Sequence, residues 1–156
     1  DAPLLEPELQ RFAALYRAAF RDRMLRVLGL KSLSEEDDLA LLKSLFGWMN
    51  ETRAAWPQVF FDWFGGPASE GRAATSPLAK LYAAPSFAPV RRALMLHEAE
   101  RPERLSHVYF RSAAPVSLVI EEVEAAWEHI AERDDWGPFN QHMARIENAR
   151  QALSPP

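Results

Sequence analysis

The stretch RDRMLRVLGL, residues 21–30, runs directly into KSLSEEDDLALLKSLFGWM, residues 31–49. A basic amphipathic segment stops on a glycine, and four acids then open an apolar one. The first half predicts a helix from about Pro7 to Leu28. Phe12, Leu15, Tyr16, Phe20, Met24, Val27 and Leu28 recur at spacings of three and four, which places them on one stripe. Gly29 is a C-terminal stop expected in the left-handed conformation, with Arg23 and Arg26 near the negative end of the dipole. Ser34 caps a second helix, and Glu35, Glu36 and Asp37 sit in its first turn, where carboxylates face the positive end. Leu39, Leu42, Phe46 and Met49 make one apolar face of that helix, and Leu41, Leu45 and Trp48 make another. So wide an apolar arc predicts a helix sandwiched between neighbours. A turn of about five residues keeps consecutive helices adjacent. Leu42 and Phe46 should therefore meet Phe20, Met24 or Leu28 across an antiparallel hairpin.

Outward from the hairpin, proline and glycine punctuate the chain. Pro57 suits the first turn of a helix over PQVFFDWF, residues 57–64, which Gly65 and Gly66 end. GGPASEGRAATSP, residues 65–77, reads as a loop. Ser76 and Pro77 start a short helix to about Ala83. Pro85 and Pro89 bracket the start of another that ends near Glu100, and Pro102 breaks it. HVYFRSAAPVSLVI, residues 107–120, is β-branched and aromatic enough for a strand. A lone strand has no pairing partner, so the segment reads as an extended loop leading into a helix. In that helix Ile120, Val123, Trp127 and Ile130 repeat, and it ends near Arg133. Asp135 caps the last helix with Pro138 in its first turn, and Phe139, Met143, Ile146 and Leu153 line its buried face. The predicted fold is all-α, an irregular bundle of about six or seven helices. It is read as one helical domain over residues 1–156.

Composition narrows the function classes. A chain of 156 residues that is 48% hydrophobic and 26% charged can bury a core. A net charge of −4 argues against a nucleic-acid surface, which needs a basic face. The absence of cysteine rules out disulfides, thiolate metal sites and cysteine nucleophiles. The longest apolar runs fall short of a membrane span, and no basic and apolar leader opens the chain. A cytoplasmic location is expected. Residue 1 is Asp, so the chain reads as a processed product or a piece of something longer.

The search for chemistry assigns no catalytic, cofactor-binding or metal-ligating residue. The histidines are His97, His107, His129 and His142, and none follows a Glu by three positions as in di-iron bundles. HEAER, residues 97–101, lacks the second His of a zinc protease helix. The acids at 35–38, 121–124 and 134–135 lie at helix starts, where the dipole accounts for them. The tryptophans Trp48, Trp56, Trp63, Trp127 and Trp136 read as core or as contact surface rather than as a ligand pocket. The glycines at 65–72 lack the Lys-Ser/Thr ending of a phosphate loop, and no Gly-x-Ser-x-Gly elbow occurs.

Met24, Leu28, Gly29, Leu30, Glu36, Asp37, Leu41, Leu45 and Met49 together resemble a segment from the C-terminal half of the SelO family of protein adenylyltransferases. VIEEVEAAWEHIAERDDW, residues 119–136, looks like the tail of a bacterial branch of that family. The resemblance implies a pseudokinase that transfers AMP from ATP to protein hydroxyls, with ATP held in a flipped orientation beside a divalent metal, Mg2+. It also implies that the catalytic residues lie in a kinase-like N-terminal half. That half is then the partner of this chain, which supports it and is itself not an enzyme. Asp135-Trp136-Gly137-Pro138-Phe139 imitates the family's Asp-Tyr-Gly metal motif, but a helix rather than a strand precedes it, so Asp135 reads as a cap. Two other functions fit the same residues: a free-standing helical interaction module, and a helical bundle that binds a small ligand. An exposed apolar patch would favour an interaction role, and a closed core with one lined cavity would favour the ligand.

Overall fold

The computed structural model describes residues 2–154 along the backbone, with side chains over 8–154. Among the described residues there are eight α-helices and four 3-10 turns, and no strand. The chain forms two compact units, Asp1–Pro102 and Glu103–Pro156.

The first unit is built on the predicted hairpin. Helix α1 spans Ala2–Val27, starting earlier than Pro7, which falls in its second turn. Gly29 ends it at φ +62°, and a Cβ there would come within 2.8 Å of the Phe64 ring. Glycine is thus required twice, by backbone conformation and by packing. Helix α2 spans Glu35–Thr52, and the Ser34 hydroxyl accepts the Asp37 N–H at 3.1 Å. Leu41, Leu42, Leu45, Trp48 and Met49 are buried on α2, as the wide apolar arc predicts, whereas Leu39 is exposed. Phe46 meets Phe20 across the hairpin, with ring centroids 5.8 Å apart, but it is only half-buried.

Helix α3, Trp56–Asp62, has Pro57 in its first turn. The segment 65–77 is not the loop expected. A 3-10 turn over Gly66–Ser69 leads into helix α4, Glu70–Thr75. Gly65 and Gly66 both have positive φ, which confines the irregular backbone to that point and lets the alanine-rich remainder coil. This helix raises the expected six or seven to eight. Helix α5 is Ala79–Ala83, and helix α6 is Ala88–Leu94. Helix α6 stops short of Glu100 because the chain beyond it pairs with the hairpin turn. Lys31 donates its N–H to the Glu98 carbonyl at 2.9 Å, and Glu100 donates to the Gly29 carbonyl at 2.8 Å. Trp63, Phe87, Leu94 and Val90 close the core against α2. Pro102 opens a 3-10 turn, Pro102–Ser106, rather than simply breaking a helix.

In the second unit Tyr109 and Phe110 are buried in a 3-10 turn, Val108–Arg111, that packs on the last helix. Residues 112–119 form no strand. Helix α7 is Ile120–Arg133 and helix α8 is Gly137–Leu153. Asp135 accepts the Gly137 N–H at 2.9 Å, so it caps α8 from one position further out than the cap proper, Trp136. The buried face of α8 is corrected: Ala149 and Ala152 are buried, while Phe139, Met143 and Leu153 are exposed. Small side chains allow close approach, and the large ones lie at the surface.

Candidate functional site

Among the described residues two carboxylates are fully buried, and both lie in the first unit. Asp38 is the last of the four acids that open α2. Its companions Glu35 and Glu36 face water at the helix start, but the helical turn carries Asp38 inward. There it accepts the Ser32 hydroxyl at 2.6 Å, the Leu33 N–H at 3.1 Å and His97 Nε2 at 3.1 Å. The Arg21 guanidinium stands 3.8 Å away. Burial pushes the Asp38 carboxyl up, but the Ser32 hydroxyl, the Leu33 N–H and His97 outweigh it and hold the group below its ordinary value. His97, buried just past α6, places Nδ1 3.0 Å from the Ala93 carbonyl. Three donors thus converge on Asp38, and the ring of His97 is held between a carbonyl and a carboxylate, both of which only accept.

The second carboxylate, Asp62, accepts from Gln58 Nε2 at 2.8 Å, from the Tyr82 hydroxyl at 2.8 Å and from the Ser76 hydroxyl. Burial and the hydrogen bond to Asp62 push the Tyr82 hydroxyl far above its ordinary range. Asp62 thereby ties α3 to α5.

Neither cluster is arranged for catalysis. The Ser32 hydroxyl points at Asp38 and not at His97, so the serine-histidine contact of a nucleophilic triad is missing. All the polar atoms of Asp38 and His97 are engaged by protein, and both side chains are closed to solvent. They act as cross-links between the α1–α2 turn and the end of α6. Sequence reading took the 35–38 acids as one dipole-facing set and missed Asp38, because its partner lies 59 residues away. The only local signal was a fourth acid beyond the three that a first turn needs.

The other candidates are scattered. His107 accepts the Tyr109 N–H at 3.2 Å, His129 lies 3.6 Å from Asp135, and His142 lies 3.7 Å from Glu122. Among the described residues no group of three His, Asp or Glu side chains could hold a metal ion. Asp135 lies in the turn between two helices with Oδ1 on the Gly137 N–H, which does not fit a metal motif that follows a strand. Trp48 and Trp63 are core, whereas Trp56, Trp127 and Trp136 are exposed. No described helix is long and apolar enough to cross a membrane.

A family model described as protein adenylyltransferase SelO matches residues 1–147. The chain belongs to the SelO family. No curated protein and no solved structure matches it.

In this SelO-family chain the N-terminal part of the apolar stripe on α1 faces water, whereas Leu28 at its other end is buried. Phe12 is 66% exposed, Leu15 61% and Tyr16 60%. Phe12, Tyr16 and Phe20 stack in series, with centroids 6.2 and 6.3 Å apart, and Phe20 carries the series to Phe46 and then Trp56.

Proposed function

We propose that this chain is the helical C-terminal segment of a SelO-family pseudokinase that transfers AMP from ATP to protein hydroxyls. The chain supports the kinase-like N-terminal half by packing against it and performs no chemistry itself. The observation that carries this reading is the unpartnered aromatic ladder on α1, together with the family match. A helix whose apolar stripe faces water is stable only marginally alone and gains most from a covering surface. The buried Asp38–His97 and Asp62–Tyr82 clusters fix the scaffold that presents the ladder. On this reading ATP and Mg2+ belong to the kinase-like half, and the protein works in the cytoplasm. A free-standing interaction module would use the same ladder, but the family match favours a partner within the same longer chain.

The test mixes this chain with the kinase-like half and follows association by calorimetry and AMP transfer with Mg-ATP. The halves should bind, and the double variant Phe12→Ser, Tyr16→Ser should weaken binding roughly tenfold or more, as loss of aromatic anchors does. The chain alone should transfer no AMP. Transfer by the chain alone, or no association of the halves, sinks the proposal.

A further inference from the structure

We infer that the second unit binds a phosphate-class oxyanion in the cleft between its 3-10 turn and α8. The cleft has a volume of about 340 Å³ and is lined by Tyr109, Arg111, Ser112, Val116, Arg145 and Asn148 among others, with no carboxylate in its wall. Arg111 is the last residue of the turn. Arg145 and Asn148 stand three residues apart on α8, so they share one face of that helix.

Two features set this cleft apart. The first is its charge against its surroundings. Residues 103–156 hold nine acids and five arginines, yet neither Arg111 nor Arg145 has a carboxylate within salt-bridge reach among the described residues. Glu147, the acid nearest to Arg145 in sequence, is turned to Arg150 at 2.7 Å and to Gln151 at 2.8 Å. Two positive charges therefore line one cleft, which suits an anion. The second is the donor set. Two guanidinium forks and the Asn148 amide supply N–H groups, and planar forks match tetrahedral phosphate oxygens in pairs. Ser112 adds no donor, because its hydroxyl already donates to the Tyr109 carbonyl at 2.6 Å. Val108 and Val116 supply the apolar part of the wall. The inference is independent of the adenylyltransferase reading, because it uses only this unit's own residues.

The experiment titrates the whole chain with inorganic phosphate, pyrophosphate and AMP at fixed ionic strength, following arginine Nε–H and asparagine side-chain signals by NMR. Saturable shifts of Arg111, Arg145 and Asn148, with Arg104 unmoved, are expected at millimolar ligand or below. Arg145→Gln should lower affinity roughly tenfold, the loss of one charge-assisted contact. Arg111→Gln should act likewise, and Arg104→Gln should change nothing. Saturation by phosphate and pyrophosphate but not AMP identifies a free-anion site, and saturation by AMP identifies a phosphate-ester site; both support the inference. Shifts that do not saturate, that chloride reproduces, or that survive both variants overturn it.

Discussion

At the scale of single residues, Asp38 and its neighbours Glu35 and Glu36 look alike in sequence and differ in weight. Asp38 is buried with three donors, while the other two only complement an exposed helix end. Asp38→Asn should destabilise the fold by about 1–3 kcal/mol, because the amide cannot accept from all three of the buried donors that Ser32, Leu33 and His97 aim at it. Glu36→Gln should change stability by at most about 1 kcal/mol. Urea unfolding of the two variants measures the contrast. The pH dependence follows from the lowered carboxyl. With the folded value below the unfolded one of about 3.9, the unfolded state binds the extra proton in the window between them. The stability contributed by Asp38 is therefore present above that window and lost as the pH falls through the folded value. The acid limb of a stability–pH profile should be shallower in Asp38→Asn. None of this was legible locally, since hydrogen-bond partners distant in sequence leave no periodic trace.

At the scale of elements, the hairpin was readable because each of its signals is local. A 3.6-residue period, a serine cap and a glycine stop act within a few residues of themselves. Gly29 and Gly47 show how tertiary structure then ranks two similar residues. Gly29 has φ +62° with the Phe64 ring 2.8 Å from any Cβ, while Gly47 is helical with nothing within 4 Å. Gly29→Ala should destabilise by more than about 1–2 kcal/mol, the left-handed penalty with a clash added. Gly47→Ala should stabilise by about 0.5–1 kcal/mol. Thermal melts of both check the pair. Phe46 carries a correction of the same kind. Half-buried, it should lose less on Phe46→Ala than the about 3–5 kcal/mol of a fully buried phenylalanine. Chemical denaturation showing the full loss would mean that its exposed edge is covered in solution. The segment 65–77 misled because glycine, proline and serine mark loops and short helices alike, and only the packing around Gly65 and Gly66 decides between them.

At the scale of the whole molecule, the decisive fact is which apolar faces are covered. The Phe12–Tyr16 part of the α1 stripe and the Phe139–Met143 face of α8 have the same periodicity as the buried face of α2, yet they lie open. Phe12→Ser with Tyr16→Ser should therefore leave the unfolding free energy within about 0.5 kcal/mol of the parent. The same change should lower binding of a hydrophobic dye, because the surface removed is already in water. A loss of several kcal/mol would show that the ladder is core after all.

The sequence by itself determined that the chain is all-helical, where its hairpin turns and which family it resembles, because periodicity, caps and motifs are carried by neighbouring residues. Only the tertiary structure decided that Asp38 and His97 meet, that the 65–77 segment coils, and that one amphipathic stripe is buried while another faces water. Hydrophobic period records that a face is apolar, and nothing in it records what, if anything, lies against that face.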